Sequence, residues 1–357
     1  MPADATRFVR LHLNENSYPA PPELIERALA AARVRLNRYP EVDLARLRGL
    51  YADYTNASAG LNGGDAVLAE QVSPANGGDE SILNTVLTLR PKVRQVVVLP
   101  PTFSEYARAA KVAGLPVAEV PLTRDYQVDL DRLTATVRAA PSLVFICDPN
   151  NPTGNLLGAG EILEAVTRAN PDTFVAVDEA YWEFAAQAPG ERGRTLAGLV
   201  AGHPNLIVIR TMSKAFSLAG ARLGFIIAAP GLARELDSIR MVFNINVLTL
   251  AVAEEVLSRP AFVSAAVARV IAGRRRLAQG LAGIPRVSPY PSWTNFVFAR
   301  TSRPAAEVTQ DMRARGILIR HYPKDEGLSH HIRVAVGTPD EIDRCLEALV
   351  ETMEGGR

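Results

Sequence analysis

The sequence predicts an α/β fold with two domains: a large domain built on a mostly parallel sheet with helices on both faces, and a smaller α+β domain. Three observations lead to this prediction. From about residue 75 to 227, short β-branched runs alternate with helical patterns, as in the crossover units of a parallel sheet. Residues 232–282 are dominated by Ala, Arg, Leu, Val and Glu, which predicts one or two long helices. After Pro285 short strand patterns return, and 357 residues exceed the usual size of a single core.

The elements follow in chain order. An amphipathic helix is predicted over 23–35, after a proline-rich entry. Strands of the large domain are predicted at 95–99, 143–147, 173–177, 206–210 and 223–228, with helices near 79–89, 104–113, 129–138 and 160–169 between them. Strands of the small domain are predicted at 295–299, 317–320 and 332–336, followed by a helix at 339–353. We place the large domain at 39–250 and the small domain at 8–38 together with 251–357.

Composition excludes several classes of function. The chain has 39 Lys and Arg against 38 Asp and Glu, and a net charge of +1 predicts no surface for nucleic acid or for an anionic membrane. Cys147 and Cys345 lie far apart and neither belongs to a CxxC pair, so neither a disulfide framework nor a zinc site is expected. The histidines lack metal-ligand spacing. The first residues show no apolar run and no segment is long enough to span a bilayer, so we expect a cytoplasmic protein.

Lys214 is the most informative residue, because lysine occurs at only four positions: Lys92, Lys111, Lys214 and Lys324. A lysine can lose its proton and form a Schiff base, whereas the guanidinium of arginine stays charged. Lys214 also follows the apolar run 206–209, just beyond a predicted strand end. Open α/β sheets bind their ligands at this edge.

Polar residues follow two more of the predicted strands. Asp178 ends the run 174–177, and Tyr181 comes three residues later. Asn151 lies in a turn rich in amide donors that follows the strand at 143–147. A buried carboxylate needs a partner, which for Asp178 alone could equally be a structural ion pair or a helix cap. Three strand ends with polar side chains on one sheet edge nevertheless predict a cofactor site.

Further candidates are an anion site, an aromatic ring and three arginines. Residues 76–80 place Gly78, Asp79 and Glu80 at a helix start, where backbone N–H groups bind anions, although a simple glycine turn capped by Asp79 has the same pattern. Phe103 follows the strand at 95–99 and could stack on a planar ring or pack in the core.

Three arginines are further candidates for binding an anion. Arg222 lies in the same loop as Lys214, and Arg320 and Arg333 lie in apolar strands that could pair and face a cleft. For each of them, a solvated surface charge is the alternative interpretation.

Ten short motifs in order resemble those of fold-type I pyridoxal-phosphate enzymes and, within them, of histidinol-phosphate aminotransferases. They run from residue 13 to 337: Leu13-Asn14-Glu15-Asn16, Arg38-Tyr39-Pro40, Gly78-Asp79-Glu80, Pro101-Thr102-Phe103, Pro149-Asn150-Asn151-Pro152-Thr153-Gly154, Asp178-Glu179-Ala180-Tyr181, Ser213-Lys214-Ala215-Phe216, Ala221-Arg222-Leu223-Gly224, Thr294-Asn295-Phe296 and Ile332-Arg333-Val334-Ala335-Val336-Gly337. Each motif is weak alone, but their order over nearly the whole chain is specific. The resemblance implies the fold-type I architecture and pyridoxal 5′-phosphate as cofactor.

The resemblance also implies a role for each residue. Lys214, Asp178 and Tyr181 would be catalytic: Lys214 would bind the cofactor as a Schiff base, Asp178 would pair with the pyridinium nitrogen, and Tyr181 with Asn151 would contact the ring oxygen. Phe103 would stack on the ring. The cofactor phosphate would be bound by Gly78, Asp79, Ser213 and Arg222, with Glu80 and Thr211 beside them and Tyr39 reaching it from a second subunit, which implies a homodimer. Substrate would contact Asn16, Asn151, Asn295, Arg320 and Arg333.

The expected reaction is transfer of an amino group from histidinol phosphate to 2-oxoglutarate, in histidine biosynthesis. The sequence departs from many relatives because only a dozen residues precede the Asn-Glu-Asn motif and none is Tyr, so we expect a weaker grip on the substrate phosphate. Segments around 89–92, 103–106 and 320–333 also resemble threonine-phosphate decarboxylases. That decarboxylase activity and aromatic aminotransferase activity therefore stay open as alternatives, whereas a non-catalytic binding protein is disfavoured because Lys214, Asp178 and Arg222 are all present.

Overall fold

The computed structural model describes residues 8–31, 36–40, 42, 44–186 and 193–355. Every candidate site residue lies within these ranges. The helix expected over 23–35 is observed from Pro22 to Ala31, and residues 32–35 of that prediction lie outside the described part.

The strands, in chain order, are β1 Val9–Arg10, β2 Val72–Ala75, β3 Gln95–Val98, β4 Val117–Glu119, β5 Ser142–Cys147, β6 Phe174–Asp178, β7 Leu206–Thr211, β8 Gly224–Ala228, β9 Val287–Pro289, β10 Phe296–Thr301, β11 Ile317–Leu318 and β12 His331–Ala335. The helices are α1 Pro22–Ala31, α2 Ala45–Ala59, α3 Gly77–Leu89, α4 Glu105–Val112, α5 Leu130–Ala139, α6 Ala159–Ala169, α7 Trp182–Ala186, α8 Pro230–Ile239, α9 Val247–Leu257, α10 Pro260–Ala282, α11 Ala305–Ala314 and α12 Pro339–Glu354.

A seven-stranded sheet forms the larger part of the molecule, in the order β2-β8-β7-β6-β5-β3-β4. Strands β3 to β7 run parallel to one another, whereas β8 is antiparallel to both β7 and β2. The predicted α/β class with a mostly parallel sheet is therefore confirmed. The pattern missed β2 and β4, the two edge strands, because they are short and because β2 contains Pro74, a residue tolerated only at sheet edges.

Both faces of this sheet are buried, as a near-continuous apolar strand sequence requires. Along β5, Leu143 and Phe145 pack in one hydrophobic cluster with α3, α4 and α8, while Val144 and Ile146 point into the other cluster with α5 and α6. This alternation is the two-residue period of a strand. Helices on both faces leave the strand ends as the accessible edge of the sheet.

The strand ends meet as the sequence predicted. Strands β5, β6 and β7 are adjacent and parallel, with Cys147 in register with Asp178 and Asp178 in register with Ile209. The residues that follow each strand therefore emerge side by side. This register is what brings the turn after β5, the Asp178 carboxylate and the Lys214 loop to a single edge.

The prediction of one or two helices over 232–282 is wrong, because three helices occupy this range. The second begins where the Asn246 side chain accepts the Thr249 N–H, and the third begins at Pro260, whose missing N–H suits a helix start. Within the described residues no single helix is long and apolar enough to cross a membrane. The pair α9 and α10 passes that test only when taken together, and its two helices are bent by 84°.

A second, three-stranded antiparallel sheet has the order β12-β10-β9, and α10, α11 and α12 accompany it. The strand expected at 317–320 is shorter than predicted: β11 covers two residues and pairs in parallel with β1. Arg320 instead forms an isolated antiparallel bridge with Arg333, so these two segments pair only at that point. The domain boundaries at 38/39 and 250/251 stay a prediction.

A buried ion pair links the ends of β6 and β7. The Arg210 side chain is 1% exposed, its Nε donates to Glu179 Oε2 at 2.8 Å, and its guanidinium lies 4.0 Å above the Trp182 ring. Glu179 also accepts hydrogen bonds from the Leu196 N–H and the Thr195 hydroxyl, both at 2.8 Å. The pair therefore attaches the segment after residue 193 to the sheet directly behind Asp178.

Replacing Glu179 with Ala is expected to lower the free energy of unfolding by about 3–5 kcal/mol, because Arg210 would stay buried with only the more distant Glu183 carboxylate, 3.8 Å away, as its counter-charge. The control is Glu235→Ala, which removes the partner of Lys92 from a pair whose side chains are 48% and 38% exposed. The control change is expected to cost about 0–1 kcal/mol. Urea titration followed by circular dichroism would measure both; equal midpoints for the two variants would contradict a structural role for the buried pair.

Candidate active site

Lys214 lies in the loop that joins β7 to β8. Its Nζ is 3.4 Å from the carbonyl oxygen of Leu13, and the Asn16 side chain donates to the Lys214 carbonyl at 3.2 Å. Desolvation by the surrounding protein, followed by the positive charge of Arg333, lowers the pKa of the Lys214 amine from 10.5 to about 8. An amine with such a pKa is partly neutral near neutral pH, as a nucleophile or a general base must be.

Asp178 is the last residue of β6, and its carboxylate is buried. Oδ2 accepts from the Tyr106 hydroxyl at 2.7 Å and Oδ1 from the Ala180 N–H at 3.0 Å. Burial raises the pKa of Asp178 to about 6, against the effect of both hydrogen bonds. Among the described residues no cation pairs with this carboxylate, so the structural ion pair considered from the sequence is absent there.

Tyr106 was not selected as a site residue from the sequence, although it stands on α4, three residues after Phe103. It is fully buried and stacks on Phe145 with ring centroids 4.6 Å apart. A buried tyrosine on an amphipathic helix looks like a core residue, and only the tertiary contact with Asp178 reveals its role. Phe103 is partly buried and meets the Tyr106 ring edge-on at 5.7 Å, which places it at the same end of the sheet.

Tyr181 lies in the turn that follows β6, with its ring edge-on to Phe296 at 5.4 Å. Its hydroxyl accepts from Asn14 Nδ2 at 2.9 Å, and burial raises the pKa of this phenol. Asn14 belongs to the N-terminal motif but was not selected from the sequence. It has a φ of 53°, a left-handed conformation that asparagine tolerates better than most residues.

A cradle for an anion surrounds the start of α3. Arg222 donates to Asp79 Oδ2 at 3.0 Å and lies 3.5 Å from Ser213 Oγ, while Thr211 and Ser213 are bonded at 2.9 Å. Gly77 has a φ of 85°, and a Cβ there would lie 2.6 Å from Arg222 Nη2. The structure therefore brings together the predicted phosphate-binding residues Gly78, Asp79, Thr211, Ser213 and Arg222 at a helix N-terminus.

The Glu80 carboxylate contacts protein groups in this structure. It accepts from the backbone N–H of Asn76 and from Asn244 Nδ2, the latter at 2.8 Å. These bonds fix the beginning of α3 and thereby shape the cradle. A direct contact between Glu80 and a cofactor stays a prediction.

Arg333 lies on β12 at the opposite side of the cleft. Its guanidinium donates to Asn151 Oδ1 and, at 2.9 Å, to the His12 carbonyl. Asn295 Nδ2 donates to the Asn14 carbonyl at 2.9 Å. The predicted substrate residues Asn16, Asn151, Asn295 and Arg333 are thus connected through the segment 12–16.

Arg320 is brought to Arg333 by their backbones. The two residues exchange N–H···O bonds of 3.0 and 2.8 Å, and the Arg320 side chain is exposed. Residues paired in this way present their side chains on the same face, where two like charges repel each other. An anionic ligand between them would relieve that repulsion.

Tyr39 differs from the other candidates because it lies on the surface. It is 79% exposed, and its ring stacks on that of Phe243 with centroids 4.3 Å apart. Its predicted reach into a second subunit stays a prediction. Within the described residues no group of three or more His, Cys, Asp or Glu side chains could hold a metal ion.

Comparison with known proteins agrees with this geometry. The family of class I and II aminotransferases matches residues 6–349. A curated histidinol-phosphate aminotransferase of Nitrosococcus oceani is 36% identical over 97% of this chain and 92% of its own length. The crystal structure of histidinol-phosphate aminotransferase from Sinorhizobium meliloti in complex with pyridoxal-5′-phosphate has a TM-score of 0.83 and 25% identity, over 97% of this chain and 91% of that one. A threonine-phosphate decarboxylase from Porphyromonas gingivalis shares the fold, with a TM-score of 0.77 and 21% identity over 97% of this chain and 99% of that one. The chain belongs to the class I and II aminotransferase family.

Proposed function

We propose that this protein is a pyridoxal-phosphate-dependent aminotransferase that transfers the amino group of histidinol phosphate to 2-oxoglutarate. One observation carries the proposal: the Lys214 loop and the buried Asp178 carboxylate meet at one edge of the sheet, and the charge of Arg333, which is paired with Arg320 through the backbone, acts on the Lys214 amine. The Asp178 carboxylate suits a cationic ring nitrogen, and the two arginines suit an anionic substrate. The names of the relatives at 35–37% identity agree with this substrate.

The residues present fit pyridoxal phosphate. Asp178 is buried and accepts two hydrogen bonds from neutral donors, so it would hold a protonated ring nitrogen. The glycines at the start of α3, with Ser213 and Arg222, would hold the phosphate. When bound, the cofactor supplies an aldehyde that combines with amines and a ring that takes up electrons released at the substrate Cα.

The side chains around this site each have a task. Tyr106 orients the Asp178 carboxylate through its hydroxyl, and that carboxylate would hold the ring nitrogen. Asn14 orients the Tyr181 hydroxyl, which would bind the ring oxygen. Lys214, with its lowered pKa, would accept the proton released at the substrate Cα and donate it at a different carbon, since an amine near its pKa can do both. Arg333 is fixed by Asn151 and the His12 carbonyl and binds the substrate anion.

The paired arginines favour a substrate with two negative charges. Arg320 and Arg333 face each other across a backbone bridge, and a phosphate monoester carries up to two charges at neutral pH, where a carboxylate carries one. The 2-oxoglutarate that accepts the amino group would place its distal carboxylate at the same arginines. A phosphorylated amine and a dicarboxylic acid can thus use one site in turn.

We also propose a homodimer. Residues 36–40, 42 and 239–248 present one exposed apolar surface, held together by the Tyr39–Phe243 stack and by a 3.0 Å bond from Arg240 to the Val42 carbonyl. Its members are Leu36, Tyr39, Val42, Met241, Val242 and Phe243, between 44% and 79% exposed. Such a surface is unusual on a monomer, and a second copy is the proposed occupant. The cytoplasmic location stays a prediction from the sequence.

The function is tested by mixing the cofactor-loaded protein with histidinol phosphate, phenylalanine or O-phosphothreonine. Histidinol phosphate is expected to bleach the cofactor absorbance at the highest kcat/KM, with glutamate formed when 2-oxoglutarate is added. Lys214→Arg should abolish the reaction, because guanidinium does not lose its proton, whereas Lys111→Arg, at an exposed position of α4, should not. Faster release of carbon dioxide from O-phosphothreonine would replace this proposal with the decarboxylase.

Lys214 should take up the cofactor with an unusual pH dependence. Because only the neutral amine adds to an aldehyde and the pKa of Lys214 is lowered to about 8, the rate at which cofactor-free protein binds pyridoxal phosphate should rise through a midpoint about 8. Arg333→Met should move this midpoint upward, since the Arg333 charge is one cause of the low pKa. Stopped-flow absorbance measures the rate; a wild-type midpoint near 10.5 would show that the amine is not desolvated.

Asp178→Asn should keep the fold and lose most of the turnover, because a neutral amide does not hold the ring nitrogen protonated. Loss of a charged partner in a buried site commonly removes about 3–5 kcal/mol, and about 1.4 kcal/mol corresponds to a tenfold change in rate. The comparison is Asp148→Asn, a partly buried carboxylate that accepts the N–H groups of Leu157 and Ala159. If Asp178→Asn retains more than about a tenth of the wild-type kcat, the carboxylate is structural.

The dimer predicts complementation between two inactive chains. If Tyr39 completes the partner's site, a mixture of Lys214→Ala and Tyr39→Phe chains should regain activity, because one of the two sites in each mixed dimer has both groups. Turnover after refolding the mixture, compared with each chain alone, is the measurement. An active monomer, shown by light scattering during turnover, would exclude this arrangement.

A further inference from the structure

Buried polar atoms without hydrogen-bond partners collect around Arg333. In the part of the chain that the structure describes, they include His12 Nδ1, Asn14 Oδ1, Asn295 Oδ1, Tyr322 OH and Arg333 Nε. Folded proteins pair nearly all such atoms, so several in one place indicate a missing partner. The Asn14 and Asn295 oxygens are acceptors, whereas the Tyr322 hydroxyl and Arg333 Nε are donors from two separate segments, and these two donors point to an anionic ligand.

Tyr322 is the member of this group with no assigned role. It follows Arg320 by two residues, on the segment that the Arg320–Arg333 bridge holds against β12. Its ring centre is 6.0 Å from the Arg333 guanidinium, and the ring meets Phe298 at a steep angle with centroids 6.3 Å apart. The ring therefore rests on the small sheet, with its hydroxyl in the neighbourhood of the arginine pair.

Toward an anionic ligand the hydroxyl acts as a donor. Burial raises the pKa of Tyr322, and the charges of Arg333 and Arg320, with a polar contact to Arg333, only partly oppose this, so the phenol keeps its proton at neutral pH. Arg333 offers further donors: one of its terminal nitrogens is committed to Asn151 and the other to the His12 carbonyl, but among the described residues its Nε has no acceptor. The Tyr322 hydroxyl and Arg333 Nε are thus two donors close to one another, and the oxygens of an anion would accept from both.

A phosphoryl group meets this requirement better than a carboxylate. It offers three terminal oxygens, one more than a carboxylate, and it can carry a second negative charge. Arg320 and Arg333 can neutralise the charge of the phosphoryl group, and a third donor can bind the terminal oxygen that neither arginine contacts. The neutral Tyr322 hydroxyl can be this third donor without adding a charge to the site.

We propose that Tyr322 is a specificity-determining residue, whose hydroxyl donates to a phosphoryl oxygen of the substrate bound between Arg320 and Arg333. This inference rests on the proposed function, because it concerns the phosphate of the same substrate. It assigns to Tyr322 the preference for a phosphorylated amine over the same amine without phosphate.

The test is Tyr322→Phe in the cofactor-loaded enzyme, assayed with histidinol phosphate and with histidinol. The ratio of kcat/KM for the two substrates should fall roughly ten- to hundredfold, the range for a hydrogen bond to a charged group. The loss should come from KM for histidinol phosphate, with little change in kcat. Tyr290→Phe is the matched control, since its hydroxyl lies 3.2 Å from His331 Nε2; it should leave the ratio unchanged.

Two further measurements separate this inference from a structural role and from the proposed function. Removing an unpartnered buried hydroxyl should leave the melting temperature of the free enzyme equal or higher, whereas loss of a structural hydrogen bond lowers it. Titration of the loaded enzyme with inorganic phosphate should show a Kd at least severalfold weaker in Tyr322→Phe. If that weakening occurs while wild type does not transaminate histidinol phosphate, the phosphate contact stands and the proposed reaction fails. An unchanged substrate ratio together with an unchanged phosphate Kd overturns the inference.

Discussion

The buried carboxylate of Asp178 is the constraint on which the site depends. It ends a central strand with both sheet faces covered, so water does not solvate it, and the Tyr106 hydroxyl and the Ala180 N–H are neutral donors. A carboxylate in that position is costly unless a cation approaches it. The parallel register of β5, β6 and β7 leaves one direction for that approach, the edge where Lys214 and Asn151 emerge. The fold thus determines both that Asp178 needs a cationic partner and the edge of the sheet from which that partner approaches.

The segment 11–16 then joins the two sides of the cleft. The carbonyl of Leu13 faces the Lys214 amine, and the carbonyl of His12 accepts a hydrogen bond from Arg333. The Asn14 side chain donates to Tyr181, and the Asn14 carbonyl accepts from Asn295. Leu11 is bonded to both β11 and β12 through its backbone. A short stretch near the beginning of the chain therefore sets the distance between the reacting amine and the arginine pair. Changes in this segment should alter catalysis and substrate choice together.

The sequence predicted the parts of this arrangement that depend on local pattern. Alternating apolar runs located β5, β6 and β7. Because parallel strands end at one edge of a sheet, the sequence alone predicted that Asp178, Asn151 and Lys214 lie together. It could not locate Tyr106, whose partner is 72 residues away and whose burial resembles ordinary packing. Asn14 was missed because its backbone and side-chain contacts both depend on the folded cleft. The strand at 317–320 was overestimated because an apolar run does not reveal its pairing partner, which proved to be β1.

The two ends of the cleft make opposite electrostatic demands, and this limits what the enzyme can accept. Asp178 requires a cation and the arginine pair requires an anion, while the partly neutral Lys214 amine must exchange protons with carbon. A substrate whose amine lies near Lys214 and whose anion lies some distance along satisfies all three, as a phosphorylated amino alcohol or a dicarboxylic amino acid does. Histidinol phosphate carries no carboxylate on its Cα, so the Cα–H bond is the one that the lysine can act on. An amine held by its distal phosphate therefore reacts by proton transfer when it lacks an α-carboxylate, whereas the α-carboxylate of O-phosphothreonine adds loss of carbon dioxide as a second outcome.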